Sequence, residues 1–122
     1  MGGSAVKIIV IGPDTFTDYK AYRDTMEKLT IKLNQFTLLV ASHKNGTDKL
    51  TSRWTGENLI PYMVYHHDSD NKDKRARRLE INTLMARDGN ALIAFDDGLC
   101  PFVKDIIGKA KKAGLIVKVV RI

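Results

Sequence analysis

The chain has 122 residues, of which 43% are hydrophobic and 28% charged, and it carries a formal net charge of +6. This length and composition predict one globular domain and exclude a disordered or fibrous chain. The apolar runs are far shorter than the ~20 residues of a membrane-spanning helix, so no membrane segment is expected. The single cysteine, Cys100, cannot form an internal disulfide, which favours a cytoplasmic protein. The positive charge favours anionic partners.

The first five residues have neither the basic start nor the apolar middle of a secretion signal. They are interpreted as a leader or cloning remnant. Residues 6–122 are predicted to form the single domain.

The first half of the chain alternates predicted strands and helices. Residues 6–11 are a β-branched run typical of a buried parallel strand, and apolar residues recur at helical spacing from Asp18 to Leu33. A second strand over 36–41 is followed by a polar turn and by a helix that carries Leu50 and Trp54. Residues 60–65 form the third strand, where Pro61 predicts an edge position because proline donates no ladder hydrogen bond.

The second half continues the alternation. We predict a helix over 74–86, a strand over 90–95, a helix that begins at Pro101 and closes at Gly114, and a last strand over 115–120. Right-handed crossovers then give an α/β fold: an open, doubly wound, parallel five-stranded sheet of order 3-2-1-4-5 between two helix layers, Rossmann-like. Ligands of such sheets bind where the strand order reverses, which here means the loops over 12–18 and 96–101.

Two segments carry a resemblance to a known family. The turn after the first strand keeps Gly12, Phe16, Asp18 and Tyr19 of the motif G-S-R-x-F-x-D-Y, and residues 88–98 are similar to the family's D-x-L-I-A-F-W-D-G strand and turn. The chain therefore resembles the SLOG superfamily of Rossmann-like proteins, in its small YspA-type (cpYpsA-related) branch of bacteria and their phages.

Three further segments depart from the family pattern. Gly46 and Asp48 are retained from the loop G-G-A-x-G-A-D. Asn82 and Met85 are retained from a helical R-N-x-x-M motif whose arginine is Ile81 here. Residues 100–103 stand where the family has S-x-G-T, whose small residues let backbone amides approach a phosphate at a helix N-terminus. Phe102 lies in this segment, so an ordinary phosphate cradle is not expected.

The resemblance implies binding of a nucleotide or nucleotide-derived ligand at the strand carboxyl ends, in a role such as phage–host conflict. Among the carboxylates, Asp14, Asp18, Asp96 and Asp97 would converge there, with capping of helices and turns as the alternative role. The predicted ligand-binding residues are Gly12, Pro13, Asp14, Phe16, Asp18, Ser42, His43, Asn45, Gly46, Asp48, Asn82, Asp96, Asp97, Gly98 and Cys100.

A second hypothesis is a catalytically inactive interaction protein that binds a host protein or nucleic acid, in the host cytoplasm if the chain is phage-encoded. Its candidate contact is the densest basic run, and the alternative is a solvated charged helix face. The run consists of Lys72, Lys74, Arg75, Arg77 and Arg78.

A third hypothesis is an N-glycosidase or deoxyribosyltransferase-like enzyme, which would need a glutamate nucleophile early in the fourth helix. That position is apolar, and Asp105, the only nearby acid, is interpreted as a solvated first-turn carboxylate. Cys100 begins no Cys-x5-Arg loop because the arginine position is Ile106. Catalysis is left open, with the non-enzymatic reading preferred, and no catalytic residue is assigned.

Histidines and acids between the third strand and third helix suggest a metal cluster, but adjacent histidines of a strand point to opposite faces. Lys72 also stands where a calcium loop needs Asp or Asn. The segment comprises His66, His67, Asp68, Asp70 and Asp73. No metal and no cofactor are predicted.

Self-association is expected because the resemblance implies oligomers and because the helices carry apolar stripes. Packing of the stripes on the sheet is the alternative. The candidate contacts are Tyr19, Tyr22, Met26, Phe102, Val103 and Ile106.

Overall fold

The computed structural model describes residues 6–41, 46–66 and 73–122, which form five strands and four helices in strict alternation. The elements are β1 (Val6–Ile11), α1 (Tyr19–Thr30), β2 (Phe36–Ala41), α2 (Gly46–Asn58), β3 (Tyr62–Tyr65), α3 (Lys74–Asp88), β4 (Ala91–Asp96), α4 (Pro101–Lys112) and β5 (Ile116–Arg121).

The strands form one parallel sheet of order β3-β2-β1-β4-β5, which confirms the predicted Rossmann-like topology. The centre of the sheet is β1, where Ile9 pairs with Leu39 on one side and with Leu92 on the other. All three side chains are fully buried or nearly so. A central parallel strand is covered on both faces, which is why its sequence is continuously apolar rather than alternating.

Each face of the sheet is covered by two helices. On one face Tyr22 and Met26 of α1 and Trp54 of α2 form a core with the sheet, and on the other face Met85 of α3 packs with Ile106 of α4. Crossovers of one hand place α1 and α2 together while the chain runs outward to β3, and α3 and α4 opposite them after it returns. Within the described residues, no helix is both long and apolar enough to cross a bilayer.

The end of α1 and the start of β3 differ from the predictions by three and two residues, respectively. Helix α1 ends at Thr30 rather than Leu33, and the chain turns there with the Leu33 amide donating to the Thr30 carbonyl. Strand β3 begins at Tyr62, after Pro61, whose carbonyl accepts from Leu38 before the ladder starts. Ser42, His43, Asn45 and Lys72, together with the histidine and acid segment over 67–71, lie outside the described residues.

Most of the side chains predicted for self-association are in the core of this molecule. Tyr22, Met26, Val103 and Ile106 are fully buried against the sheet. The predicted contacts are therefore corrected: amphipathic stripes at this spacing are used to pack each helix on its own sheet.

Candidate functional site

The loop after β1 is docked tightly against the first turn of α2. The Thr47 hydroxyl donates to the Pro13 carbonyl at 3.1 Å. A Cβ on Gly12 would lie 2.2 Å from the Thr47 Oγ1 atom, and one on Gly46, whose φ is +64°, would lie 2.4 Å from the Asp14 Cα. Both glycines therefore allow close approach of two loops at the carboxyl edge of the sheet.

A narrow crevice opens beside this junction. Its walls include Gly12 after β1, Ala41 at the end of β2, Asp48 on α2, and Arg78 and Asn82 on α3. The enclosed volume is about 10 Å³, which is about what a single water molecule needs. The crevice can therefore admit one atom of a ligand, while the rest of that ligand must lie outside it.

Arg78 presents a weakly paired positive charge at the crevice. Its guanidinium carbon lies 4.1 Å from the centre of the Phe102 ring, and its Nη1 atom lies 3.9 Å from the Asp14 carboxylate. The Arg78 side chain is 18% exposed, whereas that of Asp14 is 59% exposed. Within the described residues this long contact is the only ion pair of Arg78, so most of its five N–H donors remain available to an anion.

Asp48 faces Arg78 across the crevice and is largely desolvated. Burial raises the pKa of its carboxyl to about 7, against the opposing effect of Arg78 and with a smaller contribution from Asp14. No hydrogen bond reaches this carboxyl from residues 6–41, 46–66 or 73–122. The residue is half-buried and its carboxyl borders the crevice, so Asp48 can accept a hydrogen bond from a ligand that enters there.

Asn82 ties the two helices of the other face together below the crevice. Its Nδ2 atom donates to the Phe102 carbonyl at 3.0 Å and to the Asp105 carboxylate at 3.1 Å. Asp105 also pairs with Lys109 at 2.8 Å and lies beyond the first turn of α4. The interpretation of Asp105 as a solvated first-turn carboxylate is therefore wrong, because partners on α3 and α4 hold it.

The carboxylates predicted to meet a ligand at the β4–α4 turn accept hydrogen bonds from nearby backbone amides, and their contact with a ligand stays a prediction. Asp96 accepts from the Gly98 amide at 2.8 Å, and Asp97 accepts from the amides of Leu99 and Cys100. Asp18 caps α1 by accepting from the Ala21 amide at 3.0 Å, so its predicted alternative role as a helix cap is confirmed.

The other predicted residues occupy varied surroundings. Phe16 packs in the core with its ring 5.1 Å from that of Phe95, and Cys100 is half-buried against the core of the α3–α4 face. Within the described residues no three His, Cys, Asp or Glu side chains form a group able to hold a metal.

The side chains of the basic run differ in exposure along α3. Lys74 and Arg75 are exposed, whereas Arg77 and Arg78 are half-buried. The sequence analysis predicted Arg78 as part of a contact with a host protein or nucleic acid, or of a solvated helix face, and did not place it at the crevice. The spacing could have shown it, because Arg78 precedes the predicted site residue Asn82 by four positions and thus shares its helix face.

No protein-family model matches the chain, and no curated protein matches its sequence. Among solved structures the fold is similar to that of the molybdenum cofactor carrier protein MCP from Chlamydomonas reinhardtii. The two share 16% identity at a TM-score of 0.67, over 95% of this chain and 76% of that one. At this identity the likeness establishes a shared Rossmann-like α/β fold.

Proposed function

We propose that this domain binds a small anionic molecule, a nucleotide or nucleotide-derived compound, with the anionic group at Arg78. The observation that carries the proposal is an arginine side chain only 18% exposed whose ion pair within the described residues is as long as 3.9 Å. Burying a cation without a close counter-ion is costly, and a bound phosphate or carboxylate would remove that cost.

The position of Arg78 supports a site rather than a surface charge. The Phe102 ring lies under the guanidinium and limits its movement, and the crevice opens at the carboxyl ends of β1 and β2. Open parallel sheets bind ligands at this edge. An arginine held in place loses less conformational entropy when it forms paired hydrogen bonds to an anion.

Two further observations support the ligand class. The sequence resembles the SLOG superfamily, whose members are associated with nucleotide-derived ligands, and membership of its YspA-type branch is part of this proposal. The similarly folded MCP is described as a molybdenum cofactor carrier, which is consistent with a carrier or sensor function on this architecture. A role in phage–host conflict remains a prediction from the resemblance.

Glycosyl transfer is less well supported. Asp105, the acid nearest to the expected nucleophile position, is already hydrogen-bonded to Asn82 and paired with Lys109. A nucleophile needs a carboxylate that is free to attack the sugar.

Thermal unfolding with a panel of nucleotides and inorganic pyrophosphate tests the proposal. A ligand at 100 times its dissociation constant is expected to stabilise the protein by about 2.7 kcal/mol. Arg78→Gln is expected to weaken binding by about 10-fold or more, because a hydrogen bond to a charged group contributes about 1.5–3 kcal/mol.

Arg75→Gln is the matched control, because Arg75 is exposed on the same helix and carries the same charge. It should leave binding within about 2-fold of the wild type, the change expected from screened long-range attraction alone. Equal losses in the two variants, or no stabilisation by any compound of the panel, would overturn the proposal.

A further inference from the structure

A groove lies beside the crevice, between α2 and the edge strand β3. It has a volume of about 270 Å³ and shares Ala41 and Asp48 with the crevice. Its size is slightly below the ~300 Å³ at which pockets for drug-sized molecules begin. Because the crevice admits only about one atom, this adjoining groove is where a larger part of the same ligand can lie.

The two walls of the groove differ in chemistry. Tyr62 and Val64 are two residues apart on β3, so they share one face of the sheet and form an apolar wall. They are 50% and 36% exposed, although parallel strands are normally covered on both faces. The opposite wall is the polar side of α2, with Ser52 next to Asp48.

Much of the polar wall is already satisfied within the protein. The Thr51 hydroxyl donates to the Thr47 carbonyl and accepts from Tyr22, and the Thr55 hydroxyl donates to the Ser52 carbonyl. Asp48 has no such partner in the described part of the chain and lies where the groove meets the crevice. A ligand group that donates a hydrogen bond at this junction would satisfy it.

The charge of the groove separates it from the anion site. Of the described residues that line it, none is lysine or arginine, and its ionisable side chains are the acid Asp48, which the groove shares with the crevice of Arg78, and His66. The groove therefore suits an uncharged ring with one apolar face and hydrogen-bond donors on one edge. Ribose and nucleobases have this character, and a phosphate does not.

We infer that the groove between α2 and β3 binds the nucleoside part of a ligand whose phosphate lies at Arg78, with Asp48 accepting from a ligand hydroxyl or N–H. The inference rests on the proposed function, since Arg78 supplies the anion site. It also moves the ligand body away from the β1–β4 switch point and towards the edge strand.

Calorimetric titration with the four ribonucleoside 5′-monophosphates, with the four uncharged ribonucleosides and with inorganic phosphate tests this inference. At least one monophosphate is expected to bind the wild type 10-fold or more tightly than phosphate does. Ser52→Trp, which fills the groove from an exposed helix position, should remove that difference. Ser52→Ala is the matched control at the same position and should keep it.

Asp48→Ala, which removes both the acceptor and the charge, gives a second measurement. It should weaken binding of the monophosphate while leaving phosphate affinity unchanged or higher, since a negative charge near the anion site is removed. Circular dichroism of each variant checks that it is folded.

The outcomes separate the two proposals. If the monophosphates bind no better than phosphate, or if Ser52→Trp leaves their affinity unchanged, the groove assignment is overturned while the anion site stands. Phosphate binding that is absent, or that Arg78→Gln does not change, overturns the anion site. If uncharged nucleosides then bind and Ser52→Trp prevents their binding, the groove assignment is supported. If no compound binds, both are overturned.

Discussion

Two turns at the carboxyl edge of the sheet differ in whether the charged side chains beside them have hydrogen-bond partners within the protein. At the β4–α4 turn, Asp96 and Asp97 accept hydrogen bonds from amides two and three residues ahead. At the junction of the β1 loop with α2, Asp48 is half-buried with no such bond from the described residues, and Arg78 has one long ion pair. Carboxylates that accept hydrogen bonds from nearby backbone amides stabilise the fold, whereas charged groups without such partners indicate where a ligand is expected.

The two turns also use glycine differently, which gives the largest expected effect. Gly46 and Gly98 both have positive φ, but a Cβ on Gly46 would meet Asp14 backbone atoms within 2.6 Å, while one on Gly98 meets nothing within 4 Å. Gly46→Ala should lower the free energy of unfolding by about 3 kcal/mol or more, because overpacking adds to backbone strain. Gly98→Ala should cost about 1 kcal/mol. Chemical denaturation measures both, and equal losses would show that the junction is not tightly packed.

The buried carboxyl of Asp48 predicts a pH dependence of stability. The pKa of Asp48 in the folded state, about 7, exceeds its ordinary value of 3.8. The unfolded chain therefore releases this proton first, and the stability present below about pH 4 is lost as pH rises towards 7. Relative to Asp48→Asn, the wild type should lose up to about 1.4 kcal/mol per pH unit over that range.

Urea denaturation of the wild type and of Asp48→Asn at pH 4, 6 and 8 measures this difference. Asp48→Asn should have the higher free energy of unfolding at pH 8, and its advantage over the wild type should be smallest at pH 4. A difference in stability that stays constant across the three pH values would contradict the burial of an uncompensated carboxyl.

Removing a carboxylate that accepts backbone hydrogen bonds should lower the free energy of unfolding, whereas removing the Asp48 charge should raise it at pH 8. The change should also be smaller than that for Asp48. Asp97→Ala leaves the amides of Leu99 and Cys100 without their acceptor at the start of α4. The expected loss is about 1 kcal/mol at neutral pH, as for other capping residues. Asp97→Asn should recover part of it, since the amide oxygen can still accept. If Asp97→Ala instead reduced ligand affinity without changing stability, the contrast between the two turns would fail.

Arg78→Gln is expected to have the smallest effect on the unliganded protein. Its ion pair is long and its Phe102 contact contributes about 0.5–1 kcal/mol at a partly exposed site. The free energy of unfolding without ligand, obtained from thermal unfolding, should therefore change by less than about 1 kcal/mol. A loss above about 2 kcal/mol would show that Arg78 holds α3 in place and is not reserved for a ligand.

Most of the fold could be predicted from the sequence. The apolar run of β1, the Asp18 cap and Pro101 at the start of α4 are local signals, and strand–helix alternation with right-handed crossovers leaves few topologies. The edge position of β3 followed from Pro61 in the same way. These features could be predicted because each depends on residues close together in the chain or on a general rule of handedness.

Which charged groups have partners within the protein depends on tertiary packing. Asp96 and Asp97 accept from amides close by in the chain, whereas Asp48 lies on α2 and is desolvated where that helix meets the crevice. Arg78 reaches the crevice because the crossover after β3 brings α3 back over β1 and β2. Burial and distances between segments depend on how whole elements pack. The spacing of Arg78 and Asn82 shows only that they share a helix face.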